Sequence, residues 1–254
     1  ATSPVRAPTM APRGAAAPPA SDLAEKKTTA GGFFVATYRE PAALSASEEP
    51  PRDCPLCPRL VGYRAANAAK EPAWFNAPVP SFGDRAARLL IVGLAPGVGG
   101  ANRTGRPFTG DYAGELLYGT LLKFGFAKGK YEARPDDGLT LVDARITNAV
   151  RCVPPENKPT PEEATTCRVF LKATLEGMTN LKVIVALGRI AHDATLRAFE
   201  RKLANHAFAH GAVHALDRAT LIDSFHCSRY NTNTGKLTPA MFEAIFADAR
   251  RRLA

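Results

Sequence analysis

Four short apolar runs constrain the fold of this chain more than any other feature. They lie at residues 89–92, 141–149, 183–187 and 219–225, and each reads as a buried strand. Helical patterns lie between or after them. Residues 112–124 form one amphipathic stretch. Thr160-Pro161-Glu162-Glu163 is a capping box with proline at the first helical position, which predicts a helix through about Glu176. A third helix is predicted from about Ile190 to Ala204. Thr238-Pro239 opens a last one, which ends in Arg250-Arg251-Arg252, charges that suit a helix C-terminus. Such alternation implies a mostly parallel sheet with helices on both faces. Ligands in such folds sit at the carboxyl ends of the strands.

Three segments converge at that end of the sheet. The first, residues 93–111, is a long glycine-rich loop between the first strand and a helix, suited to close approach of backbone to a ligand. It lacks the Gly-Lys-Ser/Thr ending of a P-loop and does not match the dinucleotide fingerprint. It carries Phe108, Arg103, Arg106 and Asp111, the content expected of a pocket for a flat uncharged ring beside a phosphate backbone. The second and third segments, residues 147–158 and 226–236, follow the second and fourth strands.

Charge agrees with that picture. The chain of 254 residues has a formal net charge of +9. The first 50 residues are rich in Ala and Pro, sum to zero charge and read as largely disordered. Residues 51–254, read as one domain, therefore carry the whole excess, which favours nucleic acid or another polyanion as partner. No apolar run approaches the roughly 18 residues of a membrane span, so a soluble protein is expected. Arg6 and Arg13, without an acid in the first 20 residues, loosely resemble a transit peptide. The apolar core of a secretory signal is missing, so export is not expected.

The cysteines number five: Cys54, Cys57, Cys152, Cys167 and Cys227. An odd count without a secretory signal argues against a disulfide framework. Four of them could form one tetrathiolate site for zinc or an iron–sulfur cluster. One close pair with two dispersed ligands suits a cluster held between separate segments, although spacing alone does not fix the metal. The competing reading takes Cys152 and Cys167 as ordinary buried thiols and the CxxC pair as incidental. His206, His210 and His214 recur every four residues, but Gly211 interrupts any helix there. They read as loop or strand residues and not as a metal site.

Taken together, these segments resemble uracil-DNA glycosylases of the family 5 type. The resemblance rests on Gly93-Leu94-Ala95-Pro96-Gly97 with residues 102–111, on Thr147-Asn148-Ala149-Val150-Arg151-Cys152, on residues 226–235, and on the four-cysteine layout. It covers residues 52 to about 254. It implies a three-layer α/β/α sandwich around a four-stranded parallel sheet. It also implies a 4Fe–4S cluster on Cys54, Cys57, Cys152 and Cys167, with zinc as the alternative. The implied activity is hydrolysis of the N-glycosidic bond of uracil in duplex DNA, by a monomeric cytoplasmic enzyme.

The resemblance also implies site residues. Gly93, Ala95 and Gly97 would line the base pocket. Phe108 would be the platform for the flipped ring. Asn148 would pair with the uracil edge, because a carboxamide offers both a donor and an acceptor. From the residues alone, a turn-capping asparagine is the plainer reading of that position. His226 would donate to the uracil oxygen where charge develops. Asn102 would orient the attacking water, since an amide cannot be a general base; Asp111 reads as a helix N-cap. Arg103, Lys158, Arg189, Ser228, Arg229 and Tyr230 would contact DNA, the last three from a loop that enters the duplex. The small Ala95 slot would leave room for hypoxanthine or larger pyrimidines. A catalytically silent iron–sulfur module that binds damaged or single-stranded nucleic acid is the competing expectation.

Overall fold

The computed structural model describes residues 48–254. Residues 1–47, most of the segment read as a disordered tail, lie outside the described residues. The four strands read from sequence are the centre of the sheet. They are β2 (Leu89–Gly93), β5 (Ala144–Asn148), β6 (Val183–Leu187) and β8 (Thr220–Ser224). All run parallel, in the order β5-β2-β6-β8. Two short antiparallel strands extend the edges to six: β1 (Phe82–Gly83) beside β5 and β7 (Val213–Ala215) beside β8. A separate two-stranded pair joins β3 (Ala127–Lys128) to β4 (Thr140–Leu141).

Each central strand buries both faces, which is why the runs are continuously apolar. Leu89, Ile91, Val183, Val185 and Ile222 face one core with Leu117 and Leu121 of α3 (Tyr112–Lys123) and Phe242 and Phe246 of α7 (Pro239–Leu253). Leu90, Val92, Ile184, Ala186 and Leu221 face the other. They pack there on Leu171 and Leu175 of α4 (Pro161–Gly177) and on Ala191 and Leu196 of α5 (Arg189–Ala198). Burying each such Leu, Ile or Phe contributes roughly 1.5–3 kcal/mol. The capping signals hold in detail. Thr160 accepts from the Glu163 N–H while the Glu163 carboxylate accepts from the Thr160 N–H, and Thr238 caps α7 through the Met241 N–H.

Two segments are shorter than their patterns predict. The run 141–149 breaks at Asp143, whose φ is +51°, and only residues 144–148 pair as β5. The helix expected to reach Ala204 stops at Ala198, because Glu200 takes φ +58°; residues 203–205 form one 3₁₀ turn. Contacts cross the expected boundary at residue 51. Glu49 pairs with the buried Arg145 at 3.1 Å and with Arg151 at 2.8 Å. Helix α1 (Pro58–Lys70), not anticipated from sequence, packs Leu60 with Phe170 and three of the cysteines. Among the described residues no helix is long and apolar enough to cross a membrane.

Candidate active site

The site is organised around Gly93. It ends β2 in register with Asn148 at the end of β5. An added Cβ at Gly93 would lie 2.3 Å from Asn148 Oδ1 and 2.5 Å from Phe108 Cζ. Glycine is therefore what lets the amide and the ring close over the strand end. Asn148 is almost wholly buried, yet its Oδ1 has no hydrogen-bond partner among the described residues. An unpaired buried carbonyl is costly in a folded protein unless a ligand completes it.

Phe108 is held rigidly. Its backbone sits at φ +55°, an unfavourable region for a bulky residue. Neighbours enforce it: Tyr118 donates to the Pro107 carbonyl at 2.6 Å and Tyr131 to the Phe108 carbonyl at 3.2 Å. Arg106 donates to Thr109 Oγ1 at 2.7 Å and forms a two-armed ion pair with Asp137 at 2.8 and 2.7 Å. The Arg106 guanidinium holds the Asp137 carboxyl well below the usual carboxylate range. Arg106 thus locks the turn and does not face a phosphate backbone, a correction to the sequence expectation. The Phe108 ring stacks with the His226 imidazole, centroids 6.0 Å apart at 29°.

His226 follows β8, and its carbonyl accepts from Asn231 Nδ2 at 2.8 Å. Burial pushes its pKa down to about 4, so the ring is neutral at physiological pH and presents an N–H without a positive charge. His226 lines a cleft with Ala95, Gly97, Asp111, Asn157 and Arg229. On its other side it lines a second cavity with Arg189, Phe208, Phe225 and Lys236. Two cations stand on that second wall, Arg189 over the Phe208 ring at 5.4 Å and Lys236 over Phe225 at 4.9 Å.

Asp111 does cap α3, accepting from the Gly114 N–H. Its second oxygen, Oδ2, turns toward the glycine loop, where a Cβ at Gly100 would meet it at 2.4 Å and one at Gly97 at 3.1 Å. Burial raises its pKa, and the Gly114 and Ala113 N–H groups oppose that rise. Asn102 is fully buried in the short helix α2 (Ala101–Thr104) and is not among the residues lining the cleft. Its Nδ2 donates to Asn76 Oδ1 at 2.9 Å, and its Oδ1 is unpartnered among the described residues. Asn157, which the sequence reading passed over, enters the cleft on a loop where Glu156 and Asn157 both have positive φ, 54° and 57°. Two successive left-handed non-glycine residues mark stored strain. No sequence signal short of a Pro-rich turn announces it.

Of the expected DNA-contact residues, Ser228 and Arg229 line the cleft and Arg189 the second cavity. Arg103 clamps the glycine loop through the Gly99 carbonyl at 2.8 Å. It also lines a surface cavity with Arg52, Trp74 and Phe75. Ser228 caps the short helix α6 (Arg229–Asn233), and the Arg229 guanidinium lies 5.2 Å over the Tyr112 ring. Tyr230 is 74% exposed, the most exposed large apolar side chain among the described residues. Lys158 is apart from these: its ammonium pairs with Glu156 at 3.0 Å and its side chain is not among those lining the cleft.

Cys54, Cys57, Cys152 and Cys167 line one apolar cavity with Leu60, Val150 and Phe170. Cys227 is buried elsewhere, its Sγ near the Ala113 carbonyl. Burial pushes the Cys57 thiol up to about 11 and Cys167 to about 12. Among the described residues, the only group of three or more His, Cys, Asp or Glu with ligand atoms all within 4.8 Å of one another is His192, His214 and Asp223. No three of the four sulfurs are that close. The His192 group is closed by protons instead. One ring nitrogen of His192 meets Asp223 Oδ1 at 2.7 Å and the other meets the His206 carbonyl at 3.0 Å, both acceptors.

Residues 80–250 match the model of the uracil DNA glycosylase superfamily. The chain is 46% identical over 205 residues to a type-5 uracil-DNA glycosylase of Thermus thermophilus, covering 78% of this chain and 93% of that protein. It is 41% identical over 208 residues to a type-5 uracil-DNA glycosylase of Mycobacterium bovis, covering 78% and 77%. A type-5 uracil-DNA glycosylase of Pyrobaculum aerophilum is 40% identical over 190 residues, covering 73% and 83%.

Proposed function

Because the chain belongs to the uracil DNA glycosylase superfamily, we propose that it removes uracil from DNA by hydrolysing the N-glycosidic bond and leaves an abasic site. The observation that carries the reading is the unpartnered Asn148 Oδ1, buried against Gly93 beneath the Phe108 ring. Uracil brings an N3–H to that oxygen and an O4 to the amide nitrogen. Cytosine presents an acceptor at N3 and a donor at C4, so the same amide opposes it. The nucleotide leaves the stack at a cost of a few kcal/mol, and the flipped ring rests on Phe108.

Bond breaking sends the electron pair to the base, which departs as an anion, and leaves a cation-like sugar. The neutral His226 N–H donates to the uracil oxygen as that charge grows; a preorganised donor of this kind is worth about 10²–10³ in rate. Water then adds to the sugar. We assign its proton to Asp111, whose carboxylate Oδ2 faces the cleft, because an amide such as that of Asn102 cannot take a proton. The raised pKa of Asp111 makes it a stronger base than a free carboxylate. Arg103, Arg189, Arg229 and Lys236 supply positive charge around the mouth for the phosphates. Tyr230 on α6, well exposed, would fill the vacated stack. Ala95 lends the cleft only a methyl group, which leaves space for larger bases.

We infer a 4Fe–4S cluster on Cys54, Cys57, Cys152 and Cys167. A single zinc, with bonds of about 2.3 Å, draws its sulfurs to roughly 3.8 Å apart, closer than any three of them stand. When bound, the cluster would serve as a structural clamp joining the segment before α1, the loop after β5 and α4. A catalytically silent module is not favoured, given relatives named as glycosylases at 40–46% identity. The test is excision from duplexes holding uracil, hypoxanthine or 5-hydroxymethyluracil. Uracil must yield alkali-labile strands; hypoxanthine failing would narrow the base range alone, and uracil failing would end the reading.

A further inference from the structure

We propose that Arg64 is a positioning residue of the four-cysteine site, whose buried charge holds the Cys152 thiolate and raises the reduction potential of the cluster bound there. The inference rests on the iron–sulfur reading above. Arg64 lies on α1 and is only 6% exposed. Its Nη1 donates to Cys152 Sγ at 2.6 Å and its Nη2 to the Cys54 carbonyl at 2.9 Å.

No carboxylate neutralises it among the described residues. The other buried arginines are each matched: Arg106 by Asp137, Arg145 and Arg151 by Glu49. The nearby Glu163 is engaged by Arg59 at 2.7 Å and by the Thr160 cap. A guanidinium cannot shed its proton, so a buried one needs a counter-charge. The counter-charge at this place is sulfur. A tetrathiolate cluster is net negative, so Arg64 is satisfied when the site is loaded. Positive charge and N–H donors at the sulfurs favour the reduced state, which shifts the potential upward. The Arg151 N–H adds a second donor, to Cys167 Sγ at 3.3 Å. The two arms of Arg64 also fasten Cys152 to the carbonyl of Cys54, so the side chain joins two ligand-bearing segments. Lysine would keep the charge and lose the fork.

The full chain is purified without oxygen as wild type, Arg64→Met and Arg64→Lys. Three quantities are read: iron and sulfide content, the cluster's reduction potential, and the decay of its visible absorption under an iron chelator. Arg64→Met is expected to shift the potential negative and shorten the cluster's lifetime on the order of 10-fold or more. Arg64→Lys is expected to hold the potential near wild type while the lifetime still falls. Equal potentials in wild type and Arg64→Met overturn the proposal, as do equal shifts in Met and Lys. If Arg64→Met does not load, Arg64→Gln replaces it with the same expectation. Wild type lacking iron and sulfide would sink the cluster reading itself, a result distinct from an unresponsive Arg64.

Discussion

Replacing Gly93 by alanine adds one methyl group at a crowded point of the site. The new Cβ would stand 2.3 Å from Asn148 Oδ1 and 2.5 and 2.7 Å from two carbons of the Phe108 ring. Ordinary carbon contacts begin near 3.5 Å, so the neighbours must yield by about 1 Å. Neither does so freely. Asn148 is fixed in the β2–β5 register, and Phe108 sits in a strained turn braced by Tyr118, Tyr131 and Arg106. Overpacking of this kind costs about 1–3 kcal/mol of stability. A displacement of about 1 Å at catalytic groups costs about 10²-fold in rate. Single-turnover excision and thermal unfolding of Gly93→Ala measure both. A double-mutant cycle with Asn148→Ala separates the contacts, because removing the amide should relieve part of the stability loss without restoring excision. Wild-type excision by Gly93→Ala would refute the assembly of the site around this glycine.

Other outcomes follow from the same geometry. Asp111→Asn should lower single-turnover excision by about 10²-fold or more. Asn102→Ala should act mainly on stability, by about 1–3 kcal/mol for the broken Asn76 contact; the reverse ranking would return the water to Asn102. The acid limb of the wild-type rate profile should lie above the ordinary carboxylate value, since burial raises the Asp111 pKa, and Asp111→Asn should lose that limb. The His192 pKa is raised although burial opposes it, chiefly through its bond to the buried Asp223. That contribution to stability is complete below the ordinary imidazole value and fades as pH rises through the raised one. Thermal unfolding should therefore show the wild type losing its margin over Asp223→Asn toward alkaline pH; a constant margin would contradict the charged pair. Tyr230→Ala should weaken excision from duplex more than from single strands, because only a duplex needs its vacated stack filled.

Much of the framework was legible because its signals are local. The four central strands are apolar throughout, and two helices announce themselves through Thr160 and Thr238 caps that form as read. The loops 93–111 and 226–236 fall where parallel-sheet topology puts a ligand. Tertiary effects hid the rest. Strands β1 and β7 hold two and three residues and exist only by pairing at the sheet edges. Left-handed backbone at Asp143 and Glu200 shortened two elements that periodicity alone would have continued. Asp111 was readable as a cap, but not that its second oxygen would face the cleft, which depends on Gly97 and Gly100 folding back across it. Asn102 was readable as a polar loop residue, but not its burial beside Asn76, 26 residues away. The pairing of Arg106 with Asp137, 31 residues away, likewise had no local sign.

Discrimination by Asn148 is the most direct test of the account. Single-turnover excision is measured on matched duplexes with uracil or cytosine at one position, for wild type, Asn148→Ala and Asn148→Asp. Wild type should excise uracil and leave cytosine. Asn148→Ala should lose uracil excision by about 10²-fold or more while remaining folded. Asn148→Asp should narrow the preference for uracil, since its carboxyl no longer offers the amide donor. Uracil excision by Asn148→Ala at the wild-type rate would contradict the central claim.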